Sequence, residues 1–255
     1  MKYPTEIVAH RGRGPWGWPE NSVEAMEASW AAGVRWVECD VWASADGVPV
    51  VMHDATLDRT TDQEGALAGR TWDELSRARL RDAAGKITVA KLPTLEFLLS
   101  RMPASGAMMI EIKSPDDRAL VGRVVALVGA FPGRWTIQSF DERNLFHAWE
   151  LGLGPELGLL VESANELAAA MTSRWAAVRM DWQLAGADVI GELRARGRQA
   201  GVWTVNDTVQ IERFVGLGVD QIITDEPMVG MKVLAAVDEE GCHAKAQGSQ
   251  RKSNS

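Results

Sequence analysis

Residues 7–41 read IVAHRGRGPWGWPENSVEAMEASWAAGVRWVECDV and contain two apolar strands separated by a helix with recognisable ends. The strands are Ile7–His10 and Arg35–Val41. Between them, Asn21 can cap a helix that Gly33 can end. A strand, a helix and a second strand in this order predict a parallel β-α-β unit.

The same alternation continues along the chain. Further strands are predicted at Met108–Ile112, Trp135–Ser139, Leu157–Val161, Ala176–Asp181, Gly201–Val205 and Gln221–Thr224. Helices are predicted at Asp116–Ala130, Asp141–Leu151, Asn165–Met171, Ala187–Arg198, Asp207–Val215 and Pro227–Val237. Eight strands with intervening helices in 255 residues predict an α/β fold of the (β/α)8 or TIM barrel type.

One segment, approximately residues 46–91, interrupts the alternation and is predicted to be a small insertion after the second strand, over the barrel mouth. The turn dipeptide at Asp46 precedes Val48–His53, which can fold back on the second strand as a hairpin. The remainder is polar, with one helical patch at Trp72–Arg79, and Leu92–Phe97 resumes a helix.

Composition and charge exclude several classes of protein. Hydrophobic residues make up 46% of the chain and charged residues 24%, as in ordinary globular proteins, and no apolar run reaches the length of a membrane span or signal segment. With 27 basic against 35 acidic residues the net charge is −8, which argues against a nucleic-acid partner. The two cysteines, Cys39 and Cys242, are not expected to form a disulfide.

From these features we expect one barrel domain over residues 1–238 in a cytoplasmic protein without a transmembrane segment. Residues 239–255 are polar, lack apolar periodicity and are predicted to form a disordered tail. The sequence gives no indication of the oligomeric state.

Acidic side chains cluster in the second and third strands. Glu38 and Asp40 are two residues apart and point to the same face of a strand, and Glu111 and Lys113 repeat this spacing. Three converging carboxylates offer hard oxygen ligands and no thiolate, which suits Ca²⁺, Mg²⁺ or Mn²⁺ better than Zn²⁺. The alternative for each carboxylate is a simple ion pair at a strand end.

Two histidines follow strands that should end at the same barrel mouth. His10 follows the first strand, and His53, next to Asp54, ends the folded-back strand. Imidazole can both accept and donate a proton near neutral pH, so two imidazoles beside a cation suit displacement at phosphorus. The alternative is a pair of structural histidines.

Basic and polar residues fall near the same strand ends. Arg11 has a planar guanidinium that matches phosphate oxygens, and Lys113 is a point charge for the same group, although each can also neutralise a nearby carboxylate. Gln138, Trp203 and Asp225 also lie at strand ends, and we assign Gln138 and Trp203 to substrate binding.

The chain has eleven tryptophans. Six fit core or helix-packing positions: Trp30, Trp36, Trp72, Trp135, Trp149 and Trp175. Five fall where strand ends meet loops: Trp16, Trp18, Trp42, Trp182 and Trp203. These five are hypothesised to line a pocket for a quaternary ammonium group such as choline.

Eight motifs occur in the order seen in one enzyme family. They are His10-Arg-Gly12, Pro19-Glu-Asn21, Glu38-Cys-Asp-Val41, Asp46-Gly-Val-Pro-Val-Val-Met-His-Asp54, Glu111-Ile-Lys113, Gln138-Ser-Phe140, Val202-Trp-Thr-Val-Asn206 and Gly218-Val-Asp-Gln-Ile-Ile-Thr-Asp225. Over about residues 6–230 the chain resembles the glycerophosphodiester phosphodiesterases. The resemblance implies a barrel enzyme that uses a divalent cation, Ca²⁺ or Mg²⁺, to hydrolyse glycerophosphodiesters to glycerol 3-phosphate and an alcohol.

The resemblance also implies roles for individual residues. His10 and His53 match the acid and base; Glu38, Asp40 and Glu111 match the metal ligands; and Arg11 and Lys113 match positions that contact the phosphate. We expect Glu20, Asn21 and Asp54 to support these residues, with Asn21 interpreted as a helix cap rather than a ligand. Departures from the family pattern are Ser22 in place of threonine and a tryptophan-rich loop between Gly12 and Pro19, which affect substrate fit.

Several alternatives stay open at this point. The same residues would serve a lysophospholipase D acting on diesters that keep an acyl chain, or a catalytically silent phosphate-binding barrel. The residues also leave open whether water or the glycerol 2-hydroxyl attacks phosphorus, and which of His10 and His53 is the acid.

Overall fold

The computed structural model describes residues 5–237. Its strands are β1 (Glu6–Ala9), β2 (Trp36–Ala43), β3 (Pro49–Val51), β4 (Arg79–Arg81), β5 (Ile87–Lys91), β6 (Ala107–Ile112), β7 (Arg134–Ser139), β8 (Leu157–Val161), β9 (Ala177–Asp181), β10 (Gln199–Trp203) and β11 (Gln221–Thr224). Its helices are α1 (Val23–Ala31), α2 (Trp72–Leu75), α3 (Leu95–Arg101), α4 (Arg118–Gly129), α5 (Glu142–Glu150), α6 (Ala164–Met171), α7 (Ala187–Ala195), α8 (Thr208–Leu217) and α9 (residues 227–237).

Eight parallel strands close into a barrel. Around the barrel the neighbours are β1, β2, β6, β7, β8, β9, β10 and β11, and β11 pairs with β1. The predicted strands are all present with bounds that differ by no more than two residues, and helices lie between them. The TIM barrel prediction is therefore confirmed. The alternation of short apolar runs with amphipathic segments was sufficient to predict the barrel, because each β-α unit is formed by residues that are close in sequence.

Two apolar layers hold the barrel together. Inside the barrel, Val8, Trp36 and Met109 form a small cluster with half-buried Trp203 packed against it. Outside, a larger core lies between the strands and the helices and includes Cys39, which alternates with the acidic residues of β2 and faces away from them. Cys39 is a free thiol; Cys242 and the predicted tail lie outside the described residues.

The start of α1 differs from the prediction. Ser22, not Asn21, is the N-cap, and its hydroxyl accepts a hydrogen bond from the Ala25 amide at 3.1 Å while donating to the Pro19 carbonyl at 2.7 Å. Asn21 has φ +57°, a left-handed conformation that asparagine tolerates better than most residues. The helix ends as predicted, with Gly33 at φ +88° just beyond it.

Ser22→Ala is expected to lower the free energy of unfolding by about 0.5–2 kcal/mol because it removes the buried cap. Urea titration measures this value. Ser100→Ala is the control, since the Ser100 hydroxyl is exposed and bonds only the Phe97 carbonyl. A loss for Ser22→Ala no larger than that of the control would contradict the assignment of the cap.

The insertion after β2 is more ordered than the sequence indicated. Strand β3 pairs antiparallel with β2, as predicted, but the segment also contains the antiparallel hairpin β4–β5, which the prediction missed. The helical patch is one turn, Trp72–Leu75, and Arg79 lies in β4 instead. The segment has its own apolar core, with members such as Leu57, Leu67 and Leu80, and this tertiary packing overrides weak local preferences.

Two further observations complete the fold. Trp149, predicted to occupy a core or helix-packing position, is 47% exposed, while Trp36 and Trp175 are buried as expected. Residues 5–237 contain no helix with both the length and the apolar character required to cross a membrane.

Candidate active site

A cavity of about 240 Å³ opens at the C-terminal ends of the barrel strands. Its lining residues are His10, Arg11, Glu38, His53, Glu111, Lys113, Gln138, Phe140, Leu160, Glu162, Trp203, Thr204 and Ile223. The cavity thus brings together most of the residues that were predicted from sequence to form a site. In β/α barrels this end of the strands carries the catalytic residues.

Three carboxylates meet at the floor of the cavity. Asp40 and Glu111 are register partners in the neighbouring parallel strands β2 and β6, so their side chains point the same way, and Glu38 is two residues before Asp40. One oxygen from each of Glu38, Asp40 and Glu111 lies within 4.8 Å of the others, and all three residues are buried. Three hard oxygen ligands at this spacing could hold a divalent cation.

The protonation of these carboxylates reflects their crowding. Burial raises the pKa of Glu38 well above its ordinary value, and the charges of Asp40 and Glu111 add to the increase. Burial, followed by the charge of Asp40, raises the pKa of Glu111 to about 7. Burial also opposes ionisation of Asp40, but Arg11 and Lys113 outweigh it and lower the pKa of that carboxyl. When all three carboxylates are ionised, they therefore carry more negative charge than Arg11 and Lys113 neutralise.

Two basic side chains border the carboxylates. Lys113 Nζ lies 2.8 Å from Glu111 Oε1 and 3.6 Å from Asp40 Oδ1. Arg11 Nη1 donates to Glu20 Oε1 at 3.0 Å, and Arg11 Nε lies 3.3 Å from Asp40 Oδ2 without the angle of a hydrogen bond. Both residues line the cavity while paired with acids. They can therefore neutralise carboxylates and still offer positive charge to an anion.

Asn21 supports Asp40 rather than the helix. Its Nδ2 donates to Asp40 Oδ2 at 2.8 Å, and its Oδ1 accepts from the Asp40 amide at 3.3 Å. The expectation that Asn21 supports the site is consistent with this contact, although the cap interpretation was wrong. The backbone of Arg11, at φ +54°, similarly directs its amide to Glu38 Oε2 at 3.0 Å.

Each cavity histidine has a carboxylate on its Nδ1 atom. His53 Nδ1 lies 2.7 Å from Asp54 Oδ1, and His10 Nδ1 lies 2.7 Å from Asp225 Oδ1. A carboxylate at Nδ1 favours the tautomer that carries the proton there and leaves Nε2 free to accept one. Burial lowers the pKa of His53, which favours its neutral form. Each imidazole is thus held at one ring nitrogen by an aspartate.

Glu20, which was expected to support the site residues, is buried. It accepts hydrogen bonds from Arg11, Arg13 and Arg59. Gln138 lines the cavity, and its buried Oε1 has no partner among the described residues, so it is available to a bound ligand.

The tryptophan wall is not formed as hypothesised. Of the five residues, Trp203 alone lines the cavity, where its ring meets that of Phe140 edge to face at a centroid distance of 5.4 Å. Trp42 instead donates to the His53 carbonyl at 2.9 Å, and Trp16 to the Gly12 carbonyl at 3.0 Å. Trp18 is 39% exposed on a separate cavity.

Some site residues were missed or only half recognised. Asp225 was noticed at its strand end, but its pairing with His10, which is 215 residues away in sequence, was not predicted. Arg59 carries no local signal because it lies in an irregular part of the insertion. Phe140 was quoted within a motif and received no role, although its position after β7 places it at the cavity.

Comparison with known proteins agrees with this geometry. Residues 10–229 match the model of the glycerophosphoryl diester phosphodiesterase family. The probable glycerophosphodiester phosphodiesterase 2 of Mycobacterium tuberculosis is 31% identical over 90% of this chain and 90% of that protein.

Solved structures share the fold. A glycerophosphodiester phosphodiesterase from Parabacteroides distasonis superposes with a TM-score of 0.75 at 27% identity, covering 93% of this chain and 100% of that one. An Oleispira antarctica phosphodiesterase, solved in complex with the product sn-glycerol-3-phosphate, has a TM-score of 0.81 at 22% identity and covers 90% of this chain and 96% of that one. The chain belongs to the glycerophosphoryl diester phosphodiesterase family and is a phosphoric diester hydrolase.

Proposed function

We propose that the enzyme hydrolyses small glycerophosphodiesters, such as glycerophosphocholine or glycerophosphoethanolamine, to glycerol 3-phosphate and an alcohol. The observation that carries the proposal is one cavity with two aspartate-backed histidines beside three converging carboxylates. The complex of the Oleispira antarctica phosphodiesterase with sn-glycerol-3-phosphate supports the identity of the product.

Glu38, Asp40 and Glu111 are proposed to hold one divalent cation, Ca²⁺ or Mg²⁺, with Mn²⁺ as a further candidate. Their oxygen-only ligand set and the raised pKa values of Glu38 and Glu111 support this, since both features indicate a site that lacks a compensating positive charge. When bound, such a cation supplies charge stabilisation to a phosphate oxygen.

His10 and His53 are proposed to divide the proton transfers. One accepts the proton of the attacking hydroxyl at its Nε2 atom, and the other donates a proton to the oxygen of the leaving alcohol. Asp225 and Asp54 hold the opposite ring nitrogens and stabilise each imidazolium when it forms. Asp54 can do so over a wide pH range because hydrogen bonds from Arg59 lower its pKa to about 2.

Substrate binding is assigned to four residues of the cavity. Arg11 and Lys113 share the phosphate charge, and the free Oε1 of Gln138 accepts from a substrate hydroxyl. Trp203, packed against Phe140, offers an apolar surface to the carbon atoms. A deacylated diester is the proposed substrate, because a lysophospholipase D substrate keeps a long acyl chain that would need an apolar groove beside the cavity.

The test is turnover of glycerophosphocholine, glycerophosphoethanolamine and lysophosphatidylcholine after chelation and after the return of Ca²⁺, Mg²⁺ or Mn²⁺ singly. We expect glycerol 3-phosphate to appear only when metal returns, and faster from the deacylated diesters. A preference for lysophosphatidylcholine would favour lysophospholipase D. Absence of turnover with every diester and metal would refute the proposed reaction.

The stability of the chelated protein should also depend on pH in a defined direction. Glu111 titrates near its ordinary value of 4.5 when unfolded and near 7 when folded. Between these values the unfolded chain binds fewer protons, so the folded state is expected to lose stability as pH rises from about 4.5 to about 7.

Thermal unfolding in chelator across this pH range measures the effect. Saturating Ca²⁺ or Mg²⁺ should restore stability near pH 7, because the cation binds the ionised carboxylates. Glu111→Gln is the control and should flatten the decrease. A melting temperature that rises over the same interval in chelator would contradict the prediction.

A further inference from the structure

Glu20 occupies a position that the proposed chemistry does not use. Its side chain is buried and does not line the catalytic cavity. Arg11 Nη1 and Arg59 Nη2 donate to Oε1 at 3.0 and 2.8 Å, and Arg59 Nη1 donates to Oε2 at 3.2 Å. Arg13 Nη2 also donates to Oε2. We call these four residues, Glu20 with Arg11, Arg13 and Arg59, the Glu20 cluster.

Each arginine of the Glu20 cluster reaches a second carboxylate. Arg59 donates from Nε to Asp54 Oδ2 at 2.6 Å and from Nη2 to Asp54 Oδ1 at 2.9 Å. Arg13 Nη1 lies 3.4 Å from Asp225 Oδ2. Arg11 Nε lies 3.3 Å from Asp40 Oδ2.

These three carboxylates belong to the reacting parts of the site. Asp54 holds His53, Asp225 holds His10, and Asp40 is a candidate metal ligand. A single buried carboxylate is therefore connected, through one arginine in each direction, to both histidines and to the metal site. A side chain that only neutralised one neighbouring arginine would need no such arrangement.

The charges indicate what Glu20 does. With Glu20 ionised, each arginine lies between Glu20 and one of the three other carboxylates. Without that charge, Arg59 and Arg13 would lose one acidic partner and would be free to shift against Asp54 and Asp225, the carboxylates that hold the two histidines. Ion pairs between partly buried groups of this kind are strong enough to reorient side chains.

We propose that Glu20 is a positioning residue that fixes both histidine–aspartate pairs and Asp40 relative to one another through Arg11, Arg13 and Arg59. The inference rests on the proposed function for its catalytic consequence, but its structural consequence can be measured without substrate. Glu20 touches neither substrate nor metal in this proposal and acts only through the arginines.

The first test is proton NMR of the metal-free enzyme. The two Nδ1 protons held between His10 and Asp225 and between His53 and Asp54 should give low-field resonances, assigned with His10→Gln and His53→Gln. Glu20→Gln, which keeps the shape and removes the charge, is expected to shift both resonances. Arg59→Met should shift only that of His53, and Arg13→Met only that of His10.

The second test separates kcat from KM. Glu20→Gln is expected to lower kcat by about 10-fold to 100-fold and to change KM by a smaller factor, because orientation of both acid and base is lost while only Arg11 of the two phosphate-binding side chains contacts Glu20. Asp62→Asn is the matched control, since Asp62 pairs with Arg79 in the insertion at 2.9 Å and should change neither the resonances nor kcat.

The outcomes are distinguishable. Resonances that stay in place in Glu20→Gln, or a shift of only one of them, would overturn the inference even if the enzyme turns over substrate. Shifts of both in an enzyme that hydrolyses no diester would retain the inference and refute the proposed function. If Glu20→Gln does not fold, Glu20→Asp carries the test, because it keeps the charge but shortens the reach to the arginines; resonances that both stay in place would then overturn the inference.

Discussion

Replacing His53 with glutamine is expected to lower kcat by about 10²-fold to 10⁴-fold, the range for loss of a general acid or base. Glutamine keeps polar contacts but cannot carry a proton between substrate and solvent. The neutral form of His53 is favoured because burial lowers its pKa, and Asp54 at 2.7 Å fixes its ring. KM should change little, because phosphate binding is assigned to other side chains.

The control for this variant is His147→Gln. His147 lies on the outer helix α5, where Nε2 is 2.9 Å from Asp116, and it does not line the cavity. We expect wild-type kcat for it. Steady-state kinetics with glycerophosphocholine compare the two variants at equal folded fraction. A His53→Gln enzyme with kcat within about threefold of wild type would exclude a role in proton transfer.

Asp54→Asn should produce a smaller loss, because the imidazole stays but its orienting carboxylate is gone. If kcat of His53→Gln is well below kcat of Asp54→Asn, the imidazole takes part in the proton transfer and the aspartate only orients it. Equal losses would indicate that the substitution at position 54 displaces His53 altogether.

The second large effect is expected at Gly158, in β8 inside the barrel. A Cβ at this position would overlap Nη1 of Arg179 and lie 2.9 Å from its Cζ. Arg179 is 1% exposed and donates from Nε to Gln221 Oε1 at 2.8 Å, so its guanidinium has little room to move. Gly158→Ala is expected to cost about 1–3 kcal/mol or more of folding free energy through overpacking.

Two further variants test the cause of this cost. Gly122→Ala introduces the same methyl group in α4, where no heavy atom apart from the helix's own backbone and the adjacent residues lies within 4 Å, and should be neutral or stabilising by up to about 1 kcal/mol. The double variant Gly158→Ala with Arg179→Ala should recover part of the loss, because the overlapping side chain is gone. Urea unfolding gives the values for these variants and for Arg179→Ala alone. Additive losses in the double variant would show that Arg179 is not the obstacle.

Much of the barrel could be predicted from local patterns. The strands Leu157–Val161 and Gln221–Thr224 have the predicted bounds because short apolar runs between helical segments leave few alternatives. The secondary structure of the insertion was harder to predict from the sequence. Its hairpin β4–β5 pairs strands of three and five residues whose hydrophobic pattern is weak, and it forms over a local core that includes Leu80. Such strands are selected by packing rather than by propensity.

In the candidate site, too, some features could be predicted from the sequence and others could not. The sequence by itself determined that Glu38 and Asp40 share one face, because side chains two apart in a strand point the same way, and that Glu111 would join them at the ends of parallel strands. It also identified His10 and His53 as the imidazoles at that mouth.

Only the tertiary structure decided which groups from distant parts of the chain hold these residues. Asp225 reaches His10 because β11 closes the barrel against β1, and Arg59 reaches Glu20 because the insertion folds back toward the mouth. The Asn21 side chain donates to Asp40, and Ser22 is the N-cap of α1. Strand periodicity acts over a few residues and can be seen in sequence, whereas the Arg59–Glu20 and His10–Asp225 pairs join residues 39 and 215 positions apart and depend on how the whole chain closes.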